Sequence, residues 1–318
     1  MRRFVSLVFS LLILSGLYWY IDIYALKEVL LKSDSVWLMT GIGMVIPITM
    51  LTALRLVWMV PGKNQIRYLE SLRLILAASV MNMVLPSKMG DLAKSLFMVR
   101  ENGMSEAQSL SLVMFEKISD LLALLFWCAL GLFFVKHNHW IHWLIPFTVL
   151  TGLFLGFTLL ISTNLIKYFF WLLHVLMPKR IEEKIISFED GWIEMQNYLI
   201  KEKTRFGGIM IYSLFLWLLH LSQIWIFIMT LNVSVPYLDN LALAPLAILI
   251  GLLPFTLAGI GTRDAAFVFI FSSYFTAATG AALGLMATTR YIVPAIIGTP
   301  FFSSYVHTLN NKRLQSKN

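Results

Sequence analysis

The sequence predicts an all-α, polytopic integral membrane protein, a helical bundle in which two re-entrant or broken helices are related as an inverted repeat. Three observations carry that prediction. Of 318 residues, 58% are hydrophobic and only 13% charged, against roughly 45–50% apolar usage in soluble domains. Apolar runs near the ~20 residues that cross a bilayer as helix recur from end to end. Two further apolar segments, 72–86 and 241–254, are short and end at Pro86 and Pro254, as interrupted intramembrane helices do. No polar block is long enough to fold separately, so residues 1–318 read as one transmembrane domain.

The first run follows the basic start MRRF and continues into Tyr18, Trp19 and Tyr20 without a small-x-small cleavage site. It is read as a retained span over 4–21 rather than a removed signal. Further spans are expected over 36–60, 110–135, 143–162, 207–231 and 281–305. The one long polar stretch, 178–205, places Ile181, Ile185, Phe188, Trp192, Met195 and Leu199 at helical spacing beneath a charged face. That pattern suits a helix lying at the cytoplasmic interface.

Orientation follows from Lys and Arg in short loops. Arg2 and Arg3, then Lys63, Arg67, Arg73, Lys88, Lys94 and Arg100, then the cations of 167–205, then Lys312, Arg313 and Lys317 fall on one side if both short segments dip in and return. The loop over 23–35 is the exception, with Lys27 and Lys32 offset by Asp22, Glu28 and Asp34. Both termini are therefore expected in the cytoplasm, and the chain in the cytoplasmic membrane.

The net charge of +8 is scattered over loops rather than gathered in a stripe with stacking aromatics, so nucleic acid is excluded as a partner. Cys128 is the single cysteine and cannot form a disulfide within the chain. His137, His139 and His142 share a short loop without carboxylate or cysteine company, which reads as an interfacial loop rather than a metal centre. No nucleophile, nucleotide or cofactor signature is present. Gly152 with Gly156 and Gly280 with Gly284 are small-xxx-small pairs, expected at close helix contacts.

The two broken segments restate one another. Leu85-Pro86 is followed by Gly90-Asp91, and Leu253-Pro254 by Gly259, Gly261 and Arg263-Asp264. Each is followed by an alanine-led helix, from Ala107 and from Ala281, with a charge nine positions on, at Glu116 and Arg290. Three expected spans lie between the copies, and an odd number of crossings inverts the second. Proline lacks an N–H and displaces the carbonyl four residues earlier, so Pro86, Pro254 and Pro294 each free a polar backbone group in the apolar zone. Such groups persist only where protein or a wet cavity satisfies them.

The stretches NMVLPSKMGDLAKSLF, SLVMFEKISDLLALL and LLPFTLAGIGTRDAA, followed by the Arg290 helix, resemble the lysylphosphatidylglycerol synthase transmembrane (flippase-like) family over most of the chain. The chain differs from the family pattern at Ala258-Gly259, where two glycines are common, at Arg263-Asp264, where Arg-Glu is, and at Lys94 and Lys117, where arginine is usual. Lysine lacks the planar fork that grips a phosphate. Aminoacylating members carry a soluble synthase domain after the membrane part, whereas this chain stops about a dozen residues past its last expected span. The resemblance therefore implies the portion associated with moving lipids between leaflets, without enzymatic activity.

Arg290 lies nine residues past Ala281, ~14 Å deep at about 1.5 Å per residue, and needs a partner or a ligand. Candidate partners are Glu116, Asp120 and Asp264, and the candidate ligand is a lipid phosphate. Glu116 and Asp120 share a helical face, and Lys117 can pair locally with Asp120. Arg55, five residues from the end of its span, is expected to snorkel. The glycine loop before Arg263 and Asp264 can present N–H groups to an anion where a half-helix begins. Lys88, Asp91, Lys94, Glu116, Lys117, Asp120, Arg263, Asp264 and Arg290 make up the expected substrate path, with Pro86, Gly90, Pro254, Gly259, Gly261 and Pro294 as its breaks. With Arg55 the path holds six cations and four carboxylates, leaning toward a membrane lipid or lipid-linked intermediate that bears phosphate. The alternative is a non-transporting scaffold or accessory subunit of an envelope glycosyltransferase or lipid-modifying enzyme, its buried charges purely structural.

Overall fold

The computed structural model describes residues 15–16, 21–62, 65–84, 90–134, 141–176, 182–253, 256 and 259–315. Over these residues it is all-helical. The helices are α1 (Ile23–Leu31), α2 (Ser35–Gly43), α3 (Val45–Met59), α4 (Tyr68–Val84), α5 (Gly90–Asn102), α6 (Glu106–Phe134), α7 (Ile141–Ile161), α8 (Thr163–Leu176), α9 (Glu182–Lys201), α10 (Lys203–Thr230), α11 (Tyr237–Gly251), α12 (Thr262–Ile270) and α13 (Ala277–Gln315). Five stretches among them are long and apolar enough to cross a membrane: Ser35–Met59, Glu106–Phe134, Leu144–Ile161, Lys203–Thr230 and Ala277–Ser303. They match five of the six spans read from the sequence. The sixth, 4–21, lies outside the described residues apart from Ser15, Gly16 and Ile21.

The stretch expected as a loop over 23–35 is instead largely helix α1. Its N-cap is Asp22, whose carboxylate accepts from the Tyr24 and Ala25 amides at 2.8 and 3.4 Å, satisfying donors that a helix start leaves open. Buried Leu26 ties α1 into the core beside α13. Asp34 caps α2 in the same way, accepting from Val36 and Trp37, while its own amide donates to the Thr230 carbonyl at the end of α10 at 2.8 Å.

Both short segments are helical hairpins. In the first, α5 returns against α4 at Gly90, where a Cβ would lie 2.3 Å from the Asn82 amide nitrogen and 2.7 Å from the Ala78 carbonyl oxygen. Only a bare Cα allows that approach. Asn82 and Asp91 then close the hairpin reciprocally, the Asn82 amide group donating to the carboxylate at 3.1 Å and the Asp91 N–H to the Asn82 carbonyl at 3.2 Å. In the second, Gly259 and Gly261 adopt φ of 76° and 99°, a region that glycine enters without a Cβ penalty. A Cβ on Gly259 would lie 2.6 Å from the Gly251 carbonyl oxygen, so the loop folds onto the end of α11. The predicted breaks at Pro86 and Pro254, and Lys88 beside the first, lie outside the described residues.

Each hairpin leans on the long helix that follows the other. The first helix of hairpin one, α4, packs along α13, and the first helix of hairpin two, α11, packs along α6. Both contacts bring backbone to backbone at a glycine. A Cβ on Gly298 of α13 would fall 2.1 Å from the Leu76 carbonyl oxygen, and one on Gly131 of α6 would fall 2.3 Å from the Ala242 amide nitrogen. The small-xxx-small pairs also sit at helix contacts, Gly152 and Gly156 against Leu125 and Leu122 of α6, and Gly280 and Gly284 against Val268 and Asp264 of α12.

The expected interfacial segment forms α9, but its apolar face meets protein. Trp192, Met195 and Leu199 are buried in the core shared with α6 and α8, Gly191 abuts Ala107, and Gln196 donates to the Leu160 carbonyl at 2.9 Å. Docking on neighbouring helices removes this face from contact with lipid, which is why an amphipathic pattern alone could not place it. The buried apolar residues separate into one large cluster around hairpin two, another around hairpin one, and a small third of Leu125, Cys128 and Val149 between α6 and α7.

Candidate functional site

A polar cavity of about 180 Å³ lies where α3, α4, α5, α6, α10 and α13 meet. Glu116 stands at its centre, 2% exposed. One carboxylate oxygen accepts from Arg55 Nη2 at 3.1 Å and the other from Lys94 Nζ at 2.6 Å. Arg55 Nη1 bridges on to Asp120 at 2.6 Å and to the Ser213 hydroxyl at 3.0 Å. Asp120 also accepts from the Trp217 indole N–H at 3.1 Å. Lys94 stands 3.6 Å from Asp91, and Asp91 pairs in turn with Lys117. Three cations and three carboxylates thus form one charge-balanced network, the arrangement that buried charges require.

Three expectations are corrected by this network. Arg55 does not snorkel: it is 2% exposed, because Glu116 and Asp120, one helical turn apart on α6, both face it and outcompete the membrane surface. Lys117 does not pair locally with Asp120, since Asp91 at the start of α5 reaches it while Asp120 is held by Arg55. Arg290 meets none of Glu116, Asp120 or Asp264. Instead its Nη2 lies 2.5 Å from His220 Nδ1, and because a guanidinium only donates, the imidazole accepts at this contact.

Arg263 and Asp264 form a second, self-contained unit at the start of α12. Arg263 holds Asp264 Oδ1 through Nε and Nη2 at 3.1 and 2.7 Å and reaches the Gly284 carbonyl and the Thr288 hydroxyl of α13. Asp264 Oδ2 accepts from the Gly261 N–H at 3.0 Å. The helix start expected to receive an anion is thus filled by its own Asp264 carboxylate, a capping arrangement. Tyr291 lies between the two units, with the Arg263 and Arg290 guanidinium carbons 5.5 and 5.9 Å from its ring centre.

Among the described buried cations, Arg290 alone has no carboxylate within salt-bridge distance. Its Nε is buried without a hydrogen-bond partner, and its side chain lines the cavity beside Asn82, Glu116, Asp120, His220 and Pro294. The structure therefore brings Asp91, Lys94, Glu116, Lys117, Asp120 and Arg290 to one cavity and leaves Arg263 and Asp264 adjacent to it. Lys88 lies outside the described residues. Sequence reasoning missed His220, Trp217 and Tyr291. The signal for His220 was available, since an ionisable residue inside an apolar span is by default a site candidate.

A charge-lined cavity among long apolar helices defines a polytopic membrane protein with ionised side chains gathered between its helices. The family described as the lysylphosphatidylglycerol synthase TM region matches residues 4–298, nearly the whole chain, and the chain belongs to it. That membership is consistent with a membrane protein involved in lipid handling. No curated protein matches the chain.

Proposed function

We propose that this chain is a lipid translocase of the cytoplasmic membrane, moving a phosphate-bearing lipid or lipid-linked intermediate between leaflets without catalysing a chemical change. The observation that carries the reading is Arg290, a buried guanidinium that lines a polar cavity, has no carboxylate partner among the described residues and carries an Nε with no hydrogen-bond partner. Arginine at such depth costs at least ~2.5–3.5 kcal/mol on insertion scales, so an anionic ligand is a reason for keeping it. At about 180 Å³ the cavity suits a headgroup, below the ~300–1,000 Å³ of sites that swallow a whole drug-sized ligand. Acyl tails would stay in the bilayer while the headgroup exchanges His220 for itself on Arg290.

The two hairpins support an inverted repeat. Exchanging α4, α5 and α6 for α11, α12 and α13 maps each of their principal contacts onto another, including the crossed pairs α4 with α13 and α11 with α6. Three long spans, α6, α7 and α10, intervene, as an inverted second copy requires. With both hairpins dipping from opposite faces, the termini lie in the cytoplasm under the positive-inside rule.

The test is reconstitution of the purified chain with fluorescent phospholipid and polyprenyl-phosphate lipids. Wild type accelerates transfer and Arg290→Ala loses it; equal transfer by both defeats the reading. A scaffold role is favoured by one observation, the exposed acidic side of α9 at Glu183, Asp190 and Glu194 around half-exposed Ile186. Charge reversals there that abolish function while Arg290→Ala is tolerated would favour a scaffold for an envelope enzyme.

A further inference from the structure

We infer that the cavity selects a net-anionic headgroup and rejects one that carries an amine, an inference that rests on the translocase reading and narrows its substrate class. Among the described residues, each carboxylate that lines the cavity is already paired with a cation. Glu116 is held from both oxygens by Arg55 and Lys94, Asp120 by Arg55 and the Trp217 indole, and Asp91 by Lys117, Lys94 and the Asn82 amide. Asp264, next to the cavity, is occupied by Arg263 and the Gly261 N–H.

The cations are arranged the other way. Arg55, Lys94 and Lys117 are matched one for one by Asp91, Glu116 and Asp120, which leaves Arg290 as the surplus charge among the described residues lining the cavity. Its Nε is buried and unpartnered, and Nη2 rests on a neutral acceptor, His220 Nδ1. A phosphodiester or phosphomonoester that replaces His220 at Nη2 cancels the surplus, and a small turn of the guanidinium lets it take the unpartnered Nε as the second arm of a fork. A zwitterionic headgroup brings its phosphate with a tethered cation, which then finds no free carboxylate and stands beside Arg290 in a medium that screens poorly. The charge pattern thus rewards the anion and penalises the amine.

The experiment places the full-length protein in phosphatidylcholine vesicles and follows lipids labelled on the acyl chain, so that headgroups stay native. The two compared are phosphatidylglycerol and phosphatidylethanolamine with identical chains. Wild type is expected to move phosphatidylglycerol at least about tenfold faster, the effect of one charge-assisted hydrogen bond made or lost. Arg290→Gln should bring the two rates together, and Arg290→Lys, which keeps the charge, should retain a preference. Phosphatidylethanolamine moving as fast as phosphatidylglycerol, or a preference that survives Arg290→Gln, overturns the selectivity and leaves the translocase reading standing. Neither lipid moving faster than in empty vesicles overturns both. A free anion offers the same chemistry as the headgroup, so inorganic phosphate is tested against phosphatidylglycerol for thermal protection in detergent. Protection of wild type by the lipid and not by inorganic phosphate supports a headgroup site, whereas equal protection overturns the lipid assignment.

Discussion

Replacing Glu116 with glutamine keeps the shape of the cavity and removes the charge that two cations share. With Lys94 Nζ at 2.6 Å and Arg55 Nη2 at 3.1 Å, the gross attractions at an effective dielectric near 20 are about 6 and about 5 kcal/mol. Much of that is returned by relieved desolvation of the lost carboxylate, and removing one partner of a buried pair costs a net ~3–5 kcal/mol. Arg55 retains Asp120, so the stranded group is Lys94, 1% exposed and 3.6 Å from Asp91. Lys94→Met in the Glu116→Gln background therefore removes the stranded charge and restores the balance of two cations against two carboxylates. Stability is read from unfolding of the purified protein in mixed micelles by tryptophan fluorescence. Glu116→Gln should lose ~3–5 kcal/mol, and the double variant should recover at least ~1 kcal/mol of that loss, a coupling typical of contacting residues. Additivity of the two single changes to within ~0.5 kcal/mol would refute the claim that these charges act as one network.

Gly90→Ala should destabilise by at least ~1–3 kcal/mol through overpacking against Asn82, whereas Gly208→Ala, which meets nothing within 4 Å, should be neutral or slightly stabilising in the same melts. Arg263→Lys keeps the charge but cannot hold Asp264, Gly284 and Thr288 at once, so a loss of ~2 kcal/mol or more is expected, read as a lower melting midpoint. Asp34→Ala removes the cap of α2 and should cost ~0.5–2 kcal/mol, with Asp34→Asn retaining most of it.

The bundle was legible because span length and apolarity are local properties: the expected ends of the described spans fall within a few residues of those observed, and the glycine loop at Gly259 and Gly261 announced a turn that only glycine makes easily. Asp91, Lys94, Glu116, Lys117, Asp120 and Arg290, singled out from the sequence, do line one cavity, since an ionised side chain in an apolar helix turns inward whatever it touches; Arg55 was expected at the surface. The wiring of these charges was not legible. That Arg55 meets Glu116 and Asp120 while Arg290 meets His220 depends on the rotation and crossing of α3, α6, α10 and α13, which no pattern within one helix specifies. The same limit applies to α9, whose periodicity marked an apolar face and left open whether lipid or protein covers it. His220 was overlooked because it stands alone in an apolar run, with no neighbouring charge in sequence to draw attention.

The crossed packing of α4 on α13 has a consequence for biogenesis. Leu76 and its neighbours are made early in translation, yet the groove at Gly298 that receives them emerges from the ribosome some two hundred residues later. Until then the face of α4 that α13 covers stays open, although the ion pairs among Arg55, Asp91, Lys94, Glu116, Lys117 and Asp120 already have all their partners. Truncation before α13 should therefore leave a product that is made and then degraded faster than the full chain, read by pulse-chase.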